Sequence, residues 1–493
     1  MPLAKSIFAR RLLPIARVMG LLLMIFSVAY LMPIAWSLGA HDGQAGRFAL
    51  SMLVNFAVGA LIWLLTRRHT REIRPREGFL IVALIWIVLG ISATMPLMLC
   101  IPGMSFTNAF FETTSGFTTT GATVIVGIDH LPPSLNLWRH ELNWLGGLGI
   151  IGLAMAVLPL LGIGGMQVYR AEATGPIKDS KLTPRVAQTA KSLWLIYLAM
   201  TIACILSLKL AGMNWLDSIC HAFAALSLGG FSTHDASVGF FNSPACEIVL
   251  EVFMLLAGIN FATHFACWRE GSIKPYLRDT EAHWYLLLVL GSCVFIAGYI
   301  WIMGVYPSFW TALRHASFNL ISIANDSGFV SVDYGAWPLF APLWMLLLSC
   351  LSTSAGSTGG GIKMIRTIIL FKQSGREMRQ LLHPSSVQSL KIGNDAVSER
   401  VVMSVLGFIH LYTISIIVLT FLLLISGLDF MSSFSAVIAT INNAGPGLGV
   451  VGPAGTYEPL TDFQTWVCTA SMLVGRLEVF VIIVPFTPAF WRE

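Results

Sequence analysis

The chain has 493 residues, of which 56% are hydrophobic and only 11% charged, and its mean hydropathy is +0.75. Soluble domains carry about 25% charged residues, so this composition excludes a water-soluble multidomain protein and places the chain among polytopic membrane proteins. The formal net charge of +5 is small; its placement matters more than its size, and nucleic acid is not expected as a partner.

In chain order, the N-terminus is basic and then apolar, in the manner of a signal peptide. Its apolar run, about Val18 to Leu38, is long enough to span and shows no clear small-residue cleavage site, so it is read as a retained helix. Further apolar runs near 47–66, 78–100, 142–167, 192–212, 244–267, 284–305, 338–372, 402–427 and 463–489 bring the expected crossings to ten. The 338–372 run is too long for a simple span, and a glycine cluster interrupts it. Lys and Arg gather in cytoplasmic loops. With the N-terminus in the cytoplasm, 25 of the 30 basic residues fall on that side, in groups such as Arg67 to Arg76, Arg170 to Lys191, Arg269 to Arg278 and Lys363 to Arg400, with Arg492 at the end. The exceptions are Arg47, Arg139, Lys209, Arg314 and Arg476. Both termini are therefore expected in the cytoplasm. The eight cysteines are scattered without a CxxC pair and read as small apolar fillers.

A repeat overlies this pattern. Four segments of fourteen residues stack without a gap: Asn108 to Gly121, Asp217 to Gly230, His315 to Gly328 and Ser432 to Gly445. Their second residue is always Ala or Ser and their last is always Gly. The count also settles the register, because Gly116 resembles Gly328 in its Gly-Phe context but only Gly121 keeps the phase. The unit recurs every ~100 residues and lies between two apolar runs. All four segments fall on the outer side. The expected fold is an all-α polytopic membrane protein: two leading transmembrane helices (1–77), then four helix–pore segment–helix repeats (78–191, 192–283, 284–401 and 402–493) around a pseudo-four-fold pore. Re-entrant backbone is tolerated at membrane depth only inside protein or against water. The bland alternative is four ordinary outer loops, which need not share length, phase and a terminal glycine.

A dehydrated alkali cation needs oxygen ligands on all sides, and rings of backbone carbonyls supply them. Glycine permits the required backbone at least cost, and the C-terminal end of a preceding half-helix favours a cation below it. The candidate filter is therefore Thr119, Thr120 and Gly121; Leu228, Gly229 and Gly230; Asn325, Asp326, Ser327 and Gly328; and Asn442, Asn443, Ala444 and Gly445, with a dehydrated alkali cation as the bound ion and side chains turned back into the packing.

Together, SGFTTTGATV, LGGFSTHDAS, NNAGPGLGVV, AGSTGGGIK and GRLEVF resemble the TrkH membrane subunits of bacterial Trk potassium uptake systems, in a superfamily with KtrB and the plant HKT transporters. The resemblance covers nearly the whole chain. It implies a K⁺-translocating subunit of the bacterial inner membrane, usually a homodimer. It also implies a cytoplasmic TrkA-like partner that binds NAD(H), ATP or ADP; no cofactor is expected in this chain. One departure stands out: family members usually carry small polar residues before the third glycine, where this chain has Asn325-Asp326. A carboxylate there would strengthen the cation field, be held neutral by burial, or sit hydrogen-bonded behind the filter to little effect. In plant relatives, Ser at the first glycine accompanies Na⁺ transport; Gly121 favours K⁺.

Ala355-Gly356-Ser357-Thr358-Gly359-Gly360-Gly361 is too glycine-rich to hold a helix. It lacks the GK[ST] ending and the preceding strand of a phosphate loop. It reads either as a flexible gating loop below the filter, as the resemblance also implies, or as a close-packing kink. Arg476 is a charge in a spanning run, costing about 2.5–3.5 kcal/mol on insertion scales. The resemblance puts it beneath the filter as a barrier to cations; the alternative pairs it elsewhere. Glu478, two residues on, should not pair with it. Gly146, Gly147, Gly149 and Gly258 allow either bending or close packing, with packing the first reading, and His221, His234 and Asp235 read as outer-mouth hydrogen-bond formers. The basic cluster from Lys372 to Arg400 either docks the partner or faces anionic lipid. The competing functions are a K⁺/H⁺ or K⁺/Na⁺ symporter, disfavoured by the few ionisable residues at mid-membrane besides Arg476 and Glu478, and a membrane-embedded enzyme, for which no nucleophile, acid–base pair or metal set is found.

Overall fold

Glycine-on-glycine contact organises the two leading helices, Pro2–Phe26 and Ala45–Thr66. They cross where Gly20 meets Gly59: a Cβ on either would stand 2.8 Å from the other's carbonyl oxygen, so only glycine permits the approach. Asn55 ties the pair by donating from Nδ2 to the Leu23 carbonyl at 2.9 Å. The structure, a computed structural model, describes residues 2–69, 71, 75–161, 182–386, 388–393 and 395–491. Arg74, Arg170, Lys178, Lys181 and Arg492, which helped to set the expected orientation, lie outside the described residues.

Six helices among the described residues are long and apolar enough to cross a membrane: Leu12–Ala40, Ala45–Thr66, Glu77–Cys100, Ala190–Leu210, Thr280–Ile302 and Glu399–Ile425. Two more candidates are sharply bent pairs: Pro244–Ala257 with Phe261–Glu270 at 93°, and Asp462–Arg476 with Glu478–Phe486 at 108°. The other two expected crossings correspond to the helix Pro133–Leu161 and to Phe340–Leu351 followed, after a non-helical stretch, by Met364–Leu382. The long run 338–372 is thus broken at its glycines, as its length implied. The run 463–489, read as one span, is in fact broken at Arg476. The only strands among the described residues are a two-residue hairpin, Lys391–Ile392 with Asp395–Ala396.

Between outer and inner helices lie four short ones: Phe106–Phe117, Trp215–Ser227, Phe309–Ala324 and Phe430–Ile441. Each starts at a polar residue, Ser105, Asn214, Ser308 or Asp429, whose side chain accepts an N–H of the first turn. The last seven residues of each are buried. These helices end inside protein, where their free carbonyls need partners. The lipid-facing surface is apolar: Leu65, Leu287, Phe295, Ile302 and Phe421 are exposed on the long helices.

Candidate ion pathway

The end of each short helix builds one quarter of a ring. The thirteenth residue of every segment, Thr120, Gly229, Ser327 or Ala444, donates its N–H to the carbonyl five residues back, at 2.7–2.8 Å. The twelfth residue has positive φ in all four copies: Thr119 53°, Leu228 55°, Asp326 61° and Asn443 61°. The fourteenth, glycine, has φ of 77°, 62°, 83° and 82° in chain order. A non-glycine residue in this region costs about 1–2 kcal/mol, and four copies in phase mean that the surrounding packing holds them there.

The glycines also show how the quarters join. A Cβ on Gly121 would lie 2.5 Å from the Gly229 carbonyl oxygen; on Gly230, 1.7 Å from that of Ser327; on Gly328, 2.7 Å from that of Ala444; and on Gly445, 2.6 Å from that of Thr120. Each terminal glycine therefore abuts the thirteenth-position carbonyl of the next segment, and the fourth returns to the first. The ring is closed. Two of its carbonyls have further partners: that of Gly229 accepts the Phe231 N–H at 3.0 Å, and that of Gly445 accepts the Tyr457 hydroxyl at 2.9 Å.

Below the ring sits the non-helical stretch 352–363. Gly360 lies against the fourth segment, where a Cβ would be 1.8 Å from the Asn442 carbonyl oxygen. Its N–H donates to Asp326 Oδ2 at 3.0 Å. Thr358 Oγ1 donates to the Leu226 carbonyl at 3.0 Å, and Ser352 Oγ donates to that of Ala324. The loop thus touches three of the four segments. Arg476, 3% exposed at the break of the last inner helix, donates from Nη1 to the Thr358 carbonyl at 2.8 Å. Its guanidinium stands 5.9 Å from the Trp86 ring centre. Gly356, Ser357, Thr358, Gly359, Gly360, Gly361 and Arg476 are therefore brought together beneath the ring.

Residues 44–492 match the TrkH family, described as a cation transport protein. The chain is 45% identical over 480 residues to the "Trk system potassium uptake protein TrkH" of Salmonella typhimurium, covering 97% of this chain and 99% of that one. The chain belongs to the TrkH family of cation transport proteins. It is also 39% identical over 475 residues to the Trk system potassium uptake protein TrkG of Escherichia coli K12, across 96% and 97% of the two chains. The crystal structure of the potassium transporter TrkH from Vibrio parahaemolyticus superposes with a TM-score of 0.90 at 42% identity, covering 98% of this chain and all of that one.

Several contacts of this chain were invisible in its sequence. Lys363 and Arg366, assigned above to a cytoplasmic connection, instead fold against the stretch 352–363 and the break at Arg476. Lys363, at φ 77°, donates from Nζ to the Gly359 carbonyl and closes the loop on itself. Arg366 is buried, lies over the Phe408 ring at 4.2 Å and bonds both Glu478 oxygens at 2.8 and 2.9 Å. Glu478 indeed does not pair with Arg476. Together with Asp326 and Glu281, these residues place more ionisable groups around the loop than the sequence reading counted. Asp326 itself is fully buried and serves the loop rather than only the packing behind the filter.

The residue before each αL position explains a further pattern. Asn325 accepts from the Tyr285 hydroxyl at 2.7 Å, and Asn442 accepts from Tyr412 at 2.6 Å. Gly258 packs on the first pair, and Gly147 packs on Tyr197 and Ser227 in the corresponding place. Gly146 faces the Phe117 carbonyl, where a Cβ would be 1.9 Å away. Of the two readings open for these glycines, bending or close packing, Gly146 and Gly147 are packing positions. Gly258 both packs and ends the helix half before the 93° bend, and Gly149 is not closely opposed.

At the outer mouth the expected hydrogen bonds are present. His221 bonds the Asp217 carbonyl and Ser232 Oγ at 2.8 and 3.0 Å. Asp235 accepts the N–H groups of Gly127 and Ile128 at 3.1 and 3.0 Å. His234 bridges Asp129 at 2.5 Å and Asp217 at 3.4 Å. Burial opposes its charge, but the hydrogen bonds and charges of Asp217 and Asp129 outweigh that, so its pKa lies above the ordinary value. The sequence reading missed the main tie: Glu112, fully buried, pairs with Arg139 at 2.8 Å and accepts Thr123 Oγ1 and the Val124 N–H. Arg139 also donates to the Ser232 carbonyl at 3.3 Å, so one ion pair fixes the non-helical stretches that leave the first two ring segments. Its signal was a glutamate as the single charge in the segment from Asn108 to Gly121.

Proposed function

We propose that this chain takes up K⁺ across the bacterial inner membrane by conduction through the four-segment ring, with both termini in the cytoplasm. The closed ring of thirteenth-position carbonyls carries the reading: it gathers one backbone oxygen from each of the four segments, as the carbonyl ring around a dehydrated cation requires. The stretch 352–363 acts as the gate and Arg476 as a positive barrier beneath the filter. The names of the relatives, all potassium uptake proteins of Trk systems, support K⁺ as substrate. The word "system" in those names accords with a multi-component complex; the cytoplasmic nucleotide-binding partner and the homodimer are what the family resemblance implies. The test is cation flux into liposomes containing the purified protein under a fixed voltage. K⁺ and Rb⁺ should exceed Na⁺ and Li⁺ well beyond error; equal K⁺ and Na⁺ flux defeats the filter assignment, with Asn325-Asp326 the departure to examine.

One observation favours a second reading. The buried charges Asp326, Arg366 and Arg476 and the half-buried Lys363 and Glu478 lie around the gate, and ionisable groups inside a membrane protein also serve coupled transport. A K⁺ reversal potential that moves with pH supports coupling; one that ignores pH supports simple conduction.

A further inference from the structure

The gate loop has two limbs, and one carboxylate oxygen holds both. Glu281 Oε1 accepts the Ala355 N–H at 2.7 Å on the descending limb and the Ile365 N–H at 3.0 Å just after the ascending limb. Between these two amides lie all four glycines of the cluster, from Gly356 to Gly361. We propose that Glu281 is the latch of the intramembrane loop, a positioning residue that keeps it seated under the ring. The inference rests on the gate reading above and names the group that sets its resting position.

The latch is itself anchored. Glu281 occupies the first turn of Thr280–Ile302, whose start is fixed by Asp279: Asp279 Oδ1 accepts the N–H groups of Glu281 and Ala282 at 3.0 and 3.1 Å. The other Asp279 oxygen accepts Thr263 Oγ1 at 2.7 Å, and Thr263 lies on Phe261–Glu270, the lower half of the bent second inner helix. That bend also grips the loop directly. The Ser354 N–H donates to the Gly258 carbonyl at 3.0 Å, and the Phe261 N–H donates to the Gly356 carbonyl at 3.1 Å. One connected path therefore runs from a short helix beyond the bend, through Asp279 and Glu281, to the loop. A displacement of Phe261–Glu270 draws Glu281 off the two amides. Both amides then need new partners, because buried N–H groups without acceptors are costly.

The experiment measures Rb⁺ uptake into liposomes by the full chain without any cytoplasmic partner. It compares Glu281→Ala, Glu281→Gln and a chain lacking Gly359 to Gly361. Glu281→Ala should raise partner-free uptake by roughly tenfold, the effect of removing the two backbone hydrogen bonds from the closed state alone. Its K⁺ over Na⁺ preference should stay unchanged, because the ring is untouched; general misfolding lowers flux or selectivity and does not produce this combination. Glu281→Gln keeps an oxygen that accepts both amides and should stay near the parent. Should Glu281→Ala not yield protein, Glu281→Asp, which withdraws the oxygen by one methylene, should give an intermediate rise. If the glycine deletion raises uptake and neither Glu281→Ala nor Glu281→Asp does, the latch is wrong and the gate stands. If the deletion itself leaves uptake unchanged, the gate reading fails first.

Discussion

The two sides of the carbonyl ring are built on opposite principles. Within the ring, four segments repeat one register, one pattern of φ sign and one helix-end hydrogen bond. Beneath it, no two inner helices are alike. Pro133–Leu161 is continuous, the second bends at Gly258 to Asn260, the third opens into the loop 352–363, and the fourth breaks beside Arg476. The physical demand differs on the two sides. A cation must meet oxygens from every direction, so the four quarters are equivalent. An occluder on an axis needs only one loop and one cation-repelling charge, because two copies cannot share the axis. On the proposed function, symmetry marks where ions bind and its loss marks where flow is controlled.

The comparison breaks most visibly if the ring is made unequal. Gly230→Ala drives a Cβ to 1.7 Å from the Ser327 oxygen, whereas the same change at Gly328 meets Ala444 at 2.7 Å. Gly230→Ala should abolish K⁺-selective flux in liposomes, and Gly328→Ala should leave a measurable remainder; the reverse order contradicts the ring geometry. Next in size, deleting Gly359 to Gly361 should raise K⁺ leak with selectivity kept, read as uptake without the partner. Unchanged flux removes the gate from this loop.

A smaller, purely structural effect is expected at the outer rim. Arg139→Met leaves the Glu112 carboxylate buried and unpaired, which costs about 3–5 kcal/mol and should lower the unfolding temperature in detergent. The double change with Glu112→Gln should recover part of that loss. The smallest effect concerns His234. Because its pKa is raised, the charged bridge to Asp129 and Asp217 is complete below the ordinary histidine value of about 6.5 and fades as pH climbs through the raised one. Thermal stability should therefore fall over that interval, and His234→Asn should flatten the fall.

What could be read from the chain follows the same division. The ring was legible because a shared backbone conformation needs the same residue at the same place, so Gly121, Gly230, Gly328 and Gly445 keep phase. The glycine cluster was legible because no helix survives that density. The partners beneath the ring were not: Glu281 meets Ala355 across 74 positions, and Arg366 meets Glu478 across 112. No local period records such contacts. Arg366 followed the charge bias of loops while folding into the core, and the break at Arg476 is announced only by a single glycine, Gly475, within a run that otherwise reads as one span. Arg139 was noticed only as an exception to the charge bias, although its pairing with Glu112 is the reason that a charge is tolerated there.

The central claim is that one ring of backbone oxygens binds the transported ion. Anomalous scattering from crystals of this protein grown with Rb⁺ in place of K⁺ tests it most directly. The account predicts density on the axis, among the carbonyls of Thr120, Gly229, Ser327 and Ala444, weakened when Gly121 is replaced by Ser. Rb⁺ density confined to a side chain such as Asp326, with the ring empty, would contradict it.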